Sequence, residues 1–146
     1  MDFTASIVIL LIIIVPALLL WYNASSESTE QRNIFRAERQ VLTVTDMMMA
    51  TPGVPSSWNN TTVISVGFAT EKNILEDQKL SEFNRTDYQK LKTIFGYDFY
   101  FELKDINGTV YYTKGQQPSF QNTTMPVERR GIYNDRIVIL DLTVWY

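Results

Sequence analysis

An α+β fold is predicted: a long N-terminal hydrophobic α-helix packed on an antiparallel β-sheet head. Three observations predict it. Ile7 to Tyr22 reads IVILLIIIVPALLLWY without a charge. Apolar residues then recur at three- and four-residue spacing from Ile34 to Met49, the period of a helix with one buried face. Beyond residue 60 the spacing changes to alternation, and Asn107-Gly108 sits between two alternating runs, the strongest short-range hairpin signal. The domain division expected is 1–50 for the helix and 51–146 for the head.

The first segment has the length and chemistry of a membrane span. About 20 residues, counting from Phe3, rise roughly 30 Å as a helix, the thickness of a hydrocarbon core. Twelve Ile, Leu and Val side chains lie between Ile7 and Leu20, and together they favour insertion by very roughly 4–7 kcal/mol. Trp21 and Tyr22 close the run as interfacial aromatics. Met1 to Ser6 hold no Lys or Arg, so the run does not read as a cleaved secretory signal. The expectation is a retained helix; whether a basic leader preceded Met1 is left open by the sequence. Pro16 removes one backbone bond inside it, and a bend near Ile12 to Pro16 is expected.

The second half of the helix is amphipathic. Ile34, Ala37, Val41, Val44 and Met48 form a stripe that Leu42, Thr45 and Met49 widen, with Arg36, Glu38, Arg39 and Asp46 between them. Asn23 to Glu30 (NASSESTE) is a weaker helix former where a break could fall. Pro52 and Gly53 stop the helix after Ala50. In the head, Thr62 to Ala69 alternates as a strand, with Ile64, Val66 and Phe68 on one face. Glu71 to Phe95 has helical spacing at Leu80, Phe83, Leu91 and Phe95, a capping box at Thr86 and Gln89, and a stop at Gly96. Tyr97 to Asp105 pairs with Thr109 to Lys114 through the Asn-Gly turn, and Met125 to Ile132 pairs with Arg136 to Trp145 through Tyr133-Asn134-Asp135. About five antiparallel strands follow, with one or two helices inserted.

Composition narrows the function. The chain has 146 residues, a net charge of −3, no histidine and no cysteine. Without histidine the commonest general base, metal ligand and pH switch are missing together. No run of like charge suggests a nucleic acid as a primary ligand. The carboxylates Asp98, Glu102, Asp105, Asp135 and Asp141 alternate with apolar residues as solvated strand faces do. No nucleophile–base set, phosphate loop or metal spacing is present in the sequence, so neither enzymatic activity nor a cofactor is expected. Glycan acceptors are the positive signal. Asn-x-Ser/Thr occurs at Asn23, Asn59, Asn60, Asn84, Asn107 and Asn122, whereas nine asparagines predict about one or two by chance.

The apolar helix from Phe3 to Tyr22, its amphipathic continuation and the β head together resemble a type IV pilin. The stretches TPGVPSSWNN, KNILEDQKLSEF and DYQKLKTIFGYDFYFEL look like the pilin-like, class III signal peptide proteins of archaea. Bacterial pilins carry a glutamate early in the apolar helix, where this chain has Ala5 and Ser6; Asp2 is the nearest acid.

The resemblance implies a glycosylated structural subunit of a surface filament, membrane-inserted before assembly, extracellular afterwards, and serving adhesion. Implied partners are identical subunits, N-linked glycans, the membrane, an assembly ATPase, a platform protein and a prepilin peptidase. Phe3, Ile7, Leu10, Leu11, Ile14, Pro16, Leu18 and Trp21 would pack the filament core, and Asp2 would pair with a neighbouring α-amine. The competing reading is a single-pass anchored sensor or adhesin that does not polymerise.

Overall fold

The computed structural model describes residues 3–120 and 123–145, and within the first helix the side chains of residues 4–6, 9 and 23–34 lie outside the description. The chain runs through α1 (Phe3–Ala50), β1 (Ala69–Glu71), β2 (Ile74–Leu75), α2 (Asp77–Arg85) and α3 (Tyr88–Phe95). β3 (Asp98–Asp105), β4 (Val110–Gly115), β5 (Thr124–Tyr133) and β6 (Arg136–Trp145) follow. It forms two compact units, Met1–Glu38 and Arg39–Tyr146.

Alternation is most regular in the two central strands, where the burial is deepest. Phe99, Phe101 and Leu103 of β3 face Val144, Leu142 and Leu140 of β6, and all six are buried. The even-numbered residues of β3 point to the other face, so Glu102 lies opposite Asp141 and Tyr100 opposite Thr143. Two tight turns hold this register. Asn134 and Asp135 have φ of 49° and 61°, the left-handed pair that a two-residue hairpin loop needs. Asp105 ends β3, and its carboxylate accepts from the backbone N–H of Asn107 and of Thr109, each at 2.8 Å. Gly115 ends β4 at φ +105°, where a Cβ would collide with the Phe99 carbonyl.

The sheet order is β1-β2-β5-β6-β3-β4. Ile74 of β2 runs parallel to Ile132 of β5, while the other pairs are antiparallel. On the inner face α2 and α3 supply Leu80, Phe83, Leu91 and Phe95. Phe83 is the hub. Its ring centroid lies 4.9 Å from Phe101, 5.2 Å from Phe68, 6.3 Å from Phe95 and 6.4 Å from Phe99. The last turns of α1 join the same core through Val41, Met48 and Met49, and the Met49 methyl group reaches Gly131 of β5.

The architecture expected from sequence needs correction: a long hydrophobic helix packed on an antiparallel head does not describe this chain. The part of α1 that packs into the head is its short amphipathic end, whereas the apolar run belongs to the other unit. The continuous apolar stretch among the described side chains is residues 10–22, which rises about 20 Å against the roughly 30 Å of a hydrocarbon core. Among the described residues no helix is long and apolar enough to cross a membrane. The head itself is a curled, mixed six-stranded sheet and not a purely antiparallel one.

Two local expectations also fail. Thr62 to Ala69 is irregular except for one bridge, Val54 to Ser65, and β1 begins only at Ala69. Its backbone bonds go elsewhere: the N–H of Phe68 donates to Met48 O, that of Ala69 to Thr51 O, and Ser65 O accepts from Val54 N. With Val63, Val66, Phe68 and Ala69 all buried, the segment is threaded between the end of α1 and the core. Thr86 does not cap α3. Asp87 does, accepting from Gln89 N and Lys90 N, while the Thr86 hydroxyl donates back to Glu82 O.

If Phe83 is the centre of the core, Phe83→Ala should cost about 3–5 kcal/mol in a urea titration, and Phe83→Leu clearly less. A loss under about 1 kcal/mol for the alanine variant would remove Phe83 from that role.

Candidate functional site: an uncovered apolar helix and a zoned sheet face

Two surfaces stand out, one in each unit. In the first, the large apolar side chains from Leu10 to Tyr22 are each 41–74% exposed around the whole helix. A helix that is apolar on all sides has no face to give to water. Phe3, Ile7, Leu10, Leu11, Ile14, Pro16, Leu18 and Trp21, the residues singled out as core packing, are all exposed. The helix continues through Pro16. Asp2 lies outside the described residues.

The second surface is the outer face of the sheet, which register divides into rows. Glu128, Asp141 and Glu102 form an acidic row across β5, β6 and β3, and Arg130, Ile139 and Lys104 form the next. Lys104 joins the two rows, 3.1 Å from Glu102 and 3.6 Å from Asp141. Burial, with help from Glu128 and Glu102, raises the Asp141 carboxyl above its ordinary value, while the Lys104 ammonium opposes the shift. The carboxylates read from sequence as solvated strand faces divide by role, and Asp105 is buried instead. Asp98 binds Lys92 and the Tyr88 hydroxyl, which hold its pKa down; Asp105 caps a turn; Asp135 is exposed in the β5–β6 turn. Among the described residues no group of three or more acidic side chains is arranged to hold a metal ion.

Two polar clusters, one of them around a buried lysine, were not anticipated from sequence. Lys79 is 5% exposed, donates to the carbonyls of Ser56 and Trp58, and lies 4.9 Å over the Trp58 ring. Burial lowers its pKa, with Glu76 and Glu82 opposing. Trp58 in turn donates to Pro52 O and Gly67 O, so this pair fixes the 51–67 loop. Asp77 accepts from the hydroxyls of both Tyr112 and Tyr133, tying α2 to β4 and β5. A lysine at helical spacing and an aspartate at a helix start carry no sequence sign of such partners.

The glycan acceptors differ in what they present. Asn107 is exposed in the β3–β4 turn together with Gly108 and Thr109. Asn59 is also exposed, and its side-chain oxygen accepts from Thr61 and Thr62. Asn60 is half-buried, its N–H donating to Glu82 and its carbonyl accepting from Lys90. Asn84 is exposed on α2, but Thr86, the hydroxyl residue of its acceptor motif, is fully buried. The Asn23 and Asn122 side chains lie outside the described residues.

Asn84 should therefore be unmodified in natively folded protein, which peptide mass spectrometry checks; a glycan there would mean transfer before folding. Alkali tests the tyrosines. Burial first, then the bond to Asp98, pushes Tyr88 up to about 12, and burial likewise raises Tyr133 and Tyr112. An unfolded tyrosine ionises near pH 10, so the unfolded chain loses protons first and stability falls as pH rises from about 10 to 12. The urea midpoint should drop across that window, and Tyr88→Phe should flatten the drop. Comparison with family models, with curated proteins and with solved structures finds no match to this chain.

Proposed function

We propose that the chain is a structural subunit of a surface filament that serves adhesion, and that it polymerises by burying its apolar N-terminal helix against copies of itself. The observation that carries this reading is the helix surface from Leu10 to Tyr22, apolar on every side and uncovered in the single chain. Burial of such surface returns about 25 cal/mol per Å², which makes a lone copy in water the least stable arrangement. A bundle of copies covers it, and contacts that do not close on themselves extend such a bundle into a fibre. The sequence resemblance to archaeal filament subunits and the excess of glycan acceptors point the same way. The proposal keeps the polymeric role and sets aside both the membrane-spanning step and the helix-on-sheet architecture.

Electron microscopy of the sheared surface fraction, with mass-spectrometric identification of this chain, should find it in fibres. Replacing Leu11 and Leu18 by glutamine should abolish the fibres and leave the thermal midpoint of the head unchanged. Recovery of wild-type chain only as dispersed single molecules would end the proposal.

A further inference from the structure

At the middle of the outer sheet face, register brings three carboxylates together. Glu128 of β5, Asp141 of β6 and Glu102 of β3 lie side by side, with Asp141 between the other two. Side chains directly opposite on neighbouring strands have Cβ atoms about 5 Å apart, so each can reach the next. The cations and donors are shared unevenly. Lys104 lies 3.1 Å from Glu102 and 3.6 Å from Asp141, and the Tyr100 hydroxyl donates to Glu102 as well. Glu102 is thus held twice, and Asp141 has only the longer contact. The Asp141 side chain is 26% exposed, but its Oδ1 is shut off from solvent and has no hydrogen-bond partner among the described residues. Arg130, one row on from Glu128, is exposed and forms no ion pair among the described residues.

Ionised, Asp141 faces Glu128 as a like charge across the β5–β6 pair, an arrangement that weakens a strand pairing. A proton taken from solvent onto Oδ1 changes this in two ways. It removes one charge from the row, and it turns the unpartnered oxygen into an O–H donor set opposite the Glu128 carboxylate. Two carboxyls that share one proton form a short, charge-assisted bond. The other groups facing Asp141 leave that place open. Lys104 sits closer to Glu102, Tyr100 donates to Glu102, Ile139 and Thr143 of β6 carry no charge, and Arg130 lies opposite Ile139. Burial, opposed by Lys104 and seconded by Glu128 and Glu102, already holds the Asp141 carboxyl above its ordinary value.

We propose that Asp141 and Glu128 form a proton-operated clasp between β6 and β5, open at neutral pH and closed in acid. Its pH dependence runs opposite to that of an ion-paired carboxylate. Folded Asp141 keeps its proton to higher pH than an unfolded aspartate, which titrates near 3.9. The clasp therefore contributes fully below about pH 4, and its contribution is lost as pH rises through the folded midpoint. Asp98 and Asp105, whose carboxyls are held down, behave the other way and lose their contribution as pH falls below about 4. The clasp does not depend on how the apolar helix is used.

The test uses the full chain with Leu11 and Leu18 replaced by glutamine and follows the Asp141 carboxyl carbon by NMR through a pH titration. Its midpoint should lie above the roughly 3.9 of a free aspartate. Glu128→Gln should lower that midpoint, and Lys104→Met, which removes the opposing ammonium, should raise it. Asp141→Asn supplies an N–H donor at every pH and so holds the clasp closed. In urea this variant should be more stable than its parent at about pH 7, and the difference should shrink as pH falls towards about 4. Comparing variant with parent cancels the contributions of Asp98 and Asp105. A midpoint at or below that of free aspartate overturns the proposal, and so does a midpoint indifferent to Glu128→Gln. A stability difference that does not narrow in acid overturns it as well. The parent's own titration decides even where a variant fails to fold. Fibre formation enters none of these measurements, so the failure of either idea is visible without the other.

Discussion

The head depends on one packed aromatic layer. Phe83 of α2 contacts Phe101 and Phe99 of β3, Phe95 of α3 and Phe68 of the threaded segment, so a single ring joins the sheet, both helices and the long connection. The chain has no cysteine with which to cross-link these elements, and its connections rely on packing and hydrogen bonds instead. Edge-to-face pairs such as Phe83–Phe101 and Phe95–Phe99 add to plain area burial because the ring edge is positive and its face negative. Around this layer the polar clusters work as ties. Lys79 holds the 51–67 loop through Ser56 and Trp58, and Asp77 holds β4 and β5 through two tyrosines.

What the sequence revealed follows from how local each element's cause is. β3 and β6 were legible to within a residue because alternation and buried face coincide there, and because the turn residues Asn134 and Asp135 suit a left-handed pair. The stop of α3 at Gly96 was legible for the same reason: its φ of 81° is a local requirement. Thr62 to Ala69 was misread because alternation reports side chains only, and the backbone partners of that segment lie in α1 and the 51–54 loop. Thr86 was misread because two residues in a row could cap. The pattern Thr86–Gln89 fits a capping box, but Asp87 is placed one residue later with its carboxylate on two N–H groups. The parallel pairing of β2 with β5 joins residues far apart in the chain, and no periodicity encodes it.

The candidate surfaces divide in the same way. The apolar helix was plain from composition alone, whereas its division from the head was not. Periodicity shows where one face begins but not which stretch that face will meet. Among the described residues of α1, Val41, Met48 and Met49 belong to the head core. The exposed isoleucines Ile74, Ile106, Ile132 and Ile137 were invisible as a group in sequence, since they lie on four separate segments and only register collects them.

The two apolar surfaces differ in extent. The helix from Leu10 to Tyr22 is apolar around its circumference; in the proposed filament it would drive association without setting a unique orientation. The exposed isoleucines Ile74, Ile132 and Ile137 form a much smaller patch, placed side by side by the strand register. A subunit with a strong, unspecific apolar contact alone would aggregate, and one with a weak, specific contact alone would remain dispersed. In the proposed filament the apolar helix would supply affinity, and orientation would have to come from the head, the other unit.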